Sequence, residues 1–497
     1  MKVIYDLIVI GGGPAGMRAA ARARQLGASV ALVERGPRLG GTAVNDGVAP
    51  TRTLARAARY LRDARQQFAA YGIQVSGLRL DFQGLMRRTR QVVAALHDNH
   101  QFDRTLRDIG VRVYTNAGQC RFISASKVRF RSTGNGDGEH TLEGRRFILC
   151  VGGRAREVSF PGSDLAINHH QLWSLECLPK SLIVVGGAAT GCQVASIAAQ
   201  FGAQVTLLEM APRLAAVEDP DVSTFVREHF EQRGIDVVCG IGGVEKIEKH
   251  ADGLCLTYTA GGAARTVEAD AVFVAAGWPG NADTLNLGVA GVEVERSYVK
   301  VNEHLQTTAP HIYAAGDVNG RMMLTQCAKL QADIAVENAL GGNTRRYQPL
   351  LISHGSFTDP EYAGVGLTEE QARQDHDCIV KRVPYAQLDR AIIDNHTDGF
   401  FKLIVDRATH RTLGACAVGE QATDIVQAVA ASMQAGETVD ELSHLELAYP
   451  TYTFIIAQAA NAIAHELGRP SRTPAERVVA GAGAAADKET ARVEFAL

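Results

Sequence analysis

The sequence has no cysteine pair of the CxxC kind and no cluster of cysteines at metal-ligand spacing. Its nine cysteines, Cys120, Cys150, Cys177, Cys192, Cys239, Cys255, Cys327, Cys378 and Cys416, are scattered singly along 497 residues. An odd number of isolated thiols in a chain this large excludes a disulfide framework and points to buried free thiols in a reducing compartment. No apolar run reaches the length of a transmembrane helix. The net charge of −3 gives no bulk attraction to nucleic acid or to an anionic membrane. The chain enters a strand at Val3 with no targeting segment ahead of it, so a cytoplasmic location is expected. His169 and His170 are adjacent, but two neighbouring histidines rarely chelate alone, and no metal is expected.

Two segments of about thirty residues read alike. The first runs from a strand, Val3 to Ile10, through Gly11-Gly12-Gly13-Pro14-Ala15-Gly16 into an Ala/Arg-rich helix. A second strand follows, Ser29 to Val33, closed by Glu34. The second segment runs from Ser181–Val185 through Gly186-Gly187-Ala188-Ala189-Thr190-Gly191 into a helix over Cys192–Phe201. Its closing strand is Gln204–Leu208, ended by Glu209. Strand, glycine turn, helix, strand and acidic residue together form the dinucleotide-binding fingerprint. Gly11 permits the tight turn, Gly13 lets the backbone approach a pyrophosphate, and Gly16 lets helix and strand pack closely. The helix N-terminus offers free N–H groups and a positive dipole end to phosphate. Glu34 and Glu209 can accept ribose hydroxyls. In the second copy Ala188 adds a methyl where a phosphate should approach, while Gly186 and Gly191 remain.

Further apolar runs end in glycine or aspartate: Phe147–Gly153, Ala271–Gly277 and Ile312–Asp317. From about Leu350 the texture changes to an α+β pattern. Strands are expected over Phe400–Val405 and Leu413–Val418, and helices over Thr423–Ala435 and Thr453–Glu466. The Ala/Gly-rich tail from Pro470 reads as disordered.

From Val3 to Gly468 the chain resembles the pyridine nucleotide–disulfide oxidoreductases, such as dihydrolipoamide dehydrogenase, glutathione reductase and mercuric reductase. The resemblance rests on both glycine fingerprints and on Thr308-Ala309-Pro310-His311-Ile312-Tyr313-Ala314-Ala315-Gly316-Asp317. It also rests on Phe357-Thr358-Asp359-Pro360-Glu361 and Gly364-Val365-Gly366-Leu367-Thr368. It implies an α/β fold with two Rossmann-like domains, for FAD and NAD, and a C-terminal α+β dimerisation domain. FAD binding is expected over 1–153 and 278–347, NAD(P) binding over 154–277, and the dimerisation domain over 348–469. It further implies a homodimer, Asp317 beside the FAD ribityl–phosphate region, and Thr42 in the flavin pocket.

The departures from the family are specific. Where the family has a run like GGTCxNxGCxPSK, this chain reads Gly40-Gly41-Thr42-Ala43-Val44-Asn45-Asp46-Gly47-Val48-Ala49-Pro50-Thr51-Arg52. Both cysteine positions are lost, to Ala43 and Val48, so no thiolate can form there. The family's Lys near flavin N5 becomes Arg52, and its Glu partner becomes Gln193. Arg keeps a permanent charge but cannot readily release a proton. The family's acid–base His becomes Tyr449, followed by Phe454 in place of Glu. Trp278 replaces an Arg of the family, with no physical basis in the sequence for assigning its role.

The expected cycle passes electrons from NAD(H) through FAD directly to a small acceptor. The acceptor pocket is expected between Ala43, Val48 and, across a dimer interface, Tyr449. A dehydrogenase or oxidase of a small organic substrate, and a flavin-binding redox sensor without turnover, stay open as alternatives.

Overall fold

Leu7, Ile8 and Val9, and likewise Ile183 and Val184, are fully buried. Such short aliphatic runs, apolar on both faces, build central parallel strands covered by helices on either side. The computed structural model describes residues 3–133, 137–172, 174–251, 253–348 and 351–468. The tail from Pro470 lies outside the described residues. Contacts divide the chain into two units, one up to Pro360 and one from Glu361.

The first unit holds two parallel sheets. In the first, the order is Arg112–Tyr114, Val30–Val33, Ile4–Ile10, Gly138–Leu149, Ile312–Ala314. The strand Gly138–Leu149 is shared. Its first half pairs antiparallel with Lys127–Ser132, and its end pairs parallel with both Ile4–Ile10 and Ile312–Ala314. The register Ile10↔Leu149↔Ala314 brings the carboxyl ends of three strands level. In α/β sheets ligands bind outside the carboxyl ends of the strands. The helix Pro14–Gln25 packs its Ala15, Ala19, Ala20 and Ala23 face into the same core as the helix Thr325–Gly341.

The second sheet has the order Ala271–Val274, Ser181–Val185, Gln204–Glu209, Ile235–Cys239, all parallel. A three-stranded antiparallel sheet, Gly243–His250, Gly253–Ala260 and Ala263–Ala269, lies between the last two of these in chain order. The unit from Glu361 carries antiparallel strands in the order Tyr362–Gly366, Thr412–Val418, Phe400–Asp406, Cys378–Pro384. Helices Ala422–Ala435 and Phe454–Glu466 share its core with Phe401, Leu403 and Ala417. The fold is α/β with two Rossmann-like sheets followed by an α+β domain.

Asp359 closes the first unit. Its carboxylate is 5% exposed and takes Arg62 at 2.7 Å on one oxygen and Arg233 at 2.8 Å on the other. Its N–H donates to Ser196 Oγ at 3.0 Å, and Gln200 Nε2 donates to its carboxylate at 3.3 Å. Burial works to raise this carboxyl, but the charges of Arg62 and Arg233 and their hydrogen bonds prevail and hold it below the ordinary carboxylate range. Asp359→Asn is expected to cost about 3 kcal/mol at neutral pH, because it removes the carboxylate charge that answers the buried Arg62 guanidinium and Arg233. A depressed folded value means this contribution is complete above the unfolded carboxylate range and is lost as pH falls through the folded value. Chemical denaturation of the two proteins at neutral and acidic pH checks this: the gap should close in acid.

Candidate active site

The two glycine turns are nearly the same object. Gly11 and Gly186 have φ of +103° and +106°, where side chains are strained. Each donates its N–H at 2.8 Å to the last residue before the acidic one, Val33 or Leu208. A Cβ on Gly16 would run into the Gly11 carbonyl, and one on Gly191 into that of Gly186. Gly13 caps its helix with φ −73° and ψ −172°, and Ala188 caps the other with φ −79° and ψ −174°. The acidic residues are held alike. Glu34 accepts from the N–H groups of Gly12 and Gly36, both at 2.6 Å. Glu209 accepts from Gly187 and, at 2.6 Å, from Ala211. A carboxylate offers about four lone-pair sites, so each keeps capacity for ribose hydroxyls.

The first turn fits a pyrophosphate. A Cβ on Gly13 would meet nothing nearer than Gly41 Cα at 3.7 Å. The protein itself therefore does not demand glycine at 13, in contrast with 11 and 16; the open space lies where a phosphate would approach a helix N-terminus. Gly41, at φ +54°, lies alongside: a Cβ there would strike Gly13 Cα at 2.8 Å. Thr42 is thereby placed next to the first turn. In the second copy the Ala188 methyl is exposed and occupies the corresponding place.

Gly41–Asn45 forms one short helix and Val48–Gln66 the next. Asn45 clamps the joint: its Nδ2 donates to the Leu39 carbonyl at 3.2 Å, and its Oδ1 pairs with His97 Nε2 at 2.8 Å. Ala43 is half-buried on the short helix, and Val48, 47% exposed, opens the long one. Arg52 lies one turn further on. Its guanidinium sits over the Phe357 ring, 4.0 Å from the centroid. Gln193, from the helix Ala189–Phe201, accepts the Phe357 N–H at 3.3 Å and donates to the Ala189 carbonyl at 3.0 Å. Arg52 and Gln193 thus come together on one residue, Phe357, the first of the Phe357–Glu361 motif.

Asp317 follows the strand Ile312–Ala314 on a short 3-10 turn. Burial raises its carboxyl above the ordinary range, and the Trp278 indole N–H, donating at 3.1 Å, offsets part of this. Trp278 therefore has a definite partner in the site. Its ring also meets that of His169, with centroids 4.7 Å apart. Burial, and then His170, push the His169 imidazole down to about 4, so it is neutral at pH 7. Tyr449 belongs to the unit from Glu361, is 65% exposed, and donates its hydroxyl to Asp389 at 2.5 Å. No described helix is long and apolar enough to cross a membrane.

A family model described as pyridine nucleotide-disulphide oxidoreductase matches residues 5–332, and one for the dimerisation domain of the same family matches residues 352–460. The chain is 30% identical over 468 residues to a dihydrolipoyl dehydrogenase of Bacillus subtilis (strain 168), covering 93% of this chain and 98% of that one. It is 30% identical over 451 residues to a mercuric reductase of Lysinibacillus sphaericus, covering 90% and 80% respectively. Among solved structures, a Cu(II) complex of the HOCl-induced flavoprotein disulfide reductase RclA from Escherichia coli is similar with a TM-score of 0.81. Its identity is 27%, over 93% of this chain and 100% of that one.

The two kinds of glycine separate in an experiment. Gly13→Val is expected to leave the far-ultraviolet circular dichroism and melting of the apoprotein nearly unchanged but to abolish FAD uptake. Gly16→Ala, which drives a methyl into the Gly11 carbonyl, is expected to lower the melting temperature of the apoprotein itself. Flavin absorbance retained by the Gly13→Val protein would show that the pyrophosphate does not lie there.

Proposed function

Since the chain belongs to the pyridine nucleotide-disulphide oxidoreductase family, whose cofactors are FAD and NAD(P)H, we propose that it passes electrons from NADH to a small non-disulfide acceptor such as a quinone. One observation carries this reading: Ala43 and Val48 stand where a redox disulfide of the family would be. When bound, FAD supplies two-electron exchange between the nicotinamide and the acceptor. The rest falls to residues of the chain. Disulfide reduction needs a thiolate that attacks sulfur. Burial pushes the thiols of Cys150 and Cys192 far above their ordinary range, and that of Cys327 up to about 11, so none of these stands in.

Arg52 contributes a fixed positive charge and Gln193 a neutral amide. Together they hold Phe357 and charge, but they cannot relay a proton. Glu209 supports NADH over NADPH, because it would repel a 2′-phosphate and accept a 2′-hydroxyl. Arg213 does not compensate: its guanidinium donates to the carbonyls of Ala216 at 2.9 Å and Glu218 at 3.3 Å. The dimerisation domain supports a homodimer. In that homodimer Tyr449 would reach the Ala43 and Val48 pocket of the second copy and turn its hydroxyl proton from Asp389 to an acceptor oxygen.

Anaerobic stopped-flow reduction tests the reading. After full alkylation of accessible thiols, NADH should still bleach the flavin, faster than NADPH does, and a quinone should restore the colour. Glutathione disulfide and lipoamide should not. Turnover with a disulfide that alkylation abolishes would overturn the reading. Tyr449→Phe should leave reduction by NADH unchanged and slow reoxidation by quinone about tenfold to a hundredfold, the effect of one lost hydrogen bond. An unchanged reoxidation rate removes Tyr449 from the acceptor site.

A further inference from the structure

The histidine pair is chelating only with a third ligand, and the fold supplies one. Asp46 follows the short helix Gly41–Asn45, while His169 and His170 open the helix His169–Leu172, more than a hundred residues away. One donor atom from each residue lies within 4.8 Å of the other two. His170 Nδ1 is already 2.5 Å from Asp46 Oδ2. The His169 and His170 rings lie side by side, with centroids 3.8 Å apart and planes tilted by 40°, so both imidazoles are on the same side of the chain.

A second observation points to a ligand. His169 is 7% exposed, yet neither of its ring nitrogens has a hydrogen-bond partner among the described residues. Buried polar atoms normally have partners, and an imidazole with both nitrogens unmet lacks one it would otherwise require. Its ring is fixed by Trp278 on one side and His170 on the other. His170 is half-exposed, with 53% of its side chain accessible, and so gives the site an opening to solvent.

We infer that Asp46, His169 and His170 form a binding site for one divalent transition-metal ion of the zinc, nickel or copper class. Two imidazoles and one carboxylate are the donors that such ions take, with bonds of about 2.0–2.2 Å. Magnesium and calcium prefer all-oxygen sites and do not suit this set. Three protein ligands leave a position open for water or a small molecule. Asp46 lies between Ala43 and Val48 in the chain, so the ion would sit beside the wall assigned to the acceptor. The inference stands on the side-chain cluster and is independent of which acceptor is used.

Isothermal titration of the FAD-loaded protein with zinc chloride near neutral pH tests it. Cys177→Ser serves as the parent, because Cys177 is the one exposed cysteine. One zinc per chain is expected. His170→Ala and Asp46→Asn, at partly accessible positions, should each weaken binding about tenfold or more. His250→Ala, which removes a surface histidine paired with Glu268, should change nothing. Zinc should also raise the melting temperature of the parent but not of the two ligand variants. No heat of binding in the parent, or zinc affinity unchanged in both His170→Ala and Asp46→Asn, would overturn the assignment. The readout needs no acceptor, so it can fail while the proposed oxidoreductase activity stands, and the reverse.

Discussion

Helix and strand meet in both glycine turns at a distance that admits no side chain. Gly16 lies on the Gly11 carbonyl and Gly191 on that of Gly186. That contact fixes where each helix begins relative to the carboxyl end of its strand, and so where its free N–H groups point. The carboxylates of Glu34 and Glu209 complete the same frame by accepting backbone N–H groups from the turn itself. Each dinucleotide site is thus a backbone construction. The side chains that differ between the copies, chiefly Gly13 against Ala188, modulate how closely a phosphate can approach.

Around this frame stand Ala43, Val48 and Arg52, apolar and fixed-charge groups in place of thiols. The scaffold of the cysteine run survives because it has mechanical work: Asn45 ties the short helix to Leu39 and His97, and Gly41 lets that helix approach Gly13. Arg52 and Gln193 share Phe357 as a common anchor, one through its ring and the other through its N–H. Trp278, Asp317 and His169 make a second cluster, in which an indole N–H meets a buried carboxyl and an aromatic face meets a neutral imidazole.

Local pattern was enough for the parallel strands and the glycine turns, because apolar runs and glycine spacing are written within thirty residues. The helix expected over Thr423–Ala435 spans Ala422–Ala435, and the one expected from Thr453 begins at Phe454. The three-stranded sheet over residues 243–269 is not legible, since its first strand carries the adjacent charges Glu245-Lys246 and Glu248-Lys249 and shifts register between Val244 and Lys246, which breaks the alternation. Long-range meetings were the least accessible. The stacking of the Arg52 guanidinium on Phe357 joins residues more than three hundred positions apart. Asp46 stands inside the Gly40–Arg52 run, yet its proximity to His170 depends on a fold that spans more than a hundred residues. The role of Trp278 emerges only with Asp317 as its partner.

Asp359 draws Arg62 from the helix Val48–Gln66. It draws Ser196 and Gln200 from the helix of the second turn, and Arg233 from just beyond the helix Pro220–Gln232. A swing between the two Rossmann-like parts would have to break this buried junction, and a buried ion pair opens in a discrete event rather than by gradual stretching. Hinge breathing of the first unit is therefore damped at that point, and the spacing between the two turns behaves as a fixed length. One buried carboxylate thus acts as a strut between the two parts.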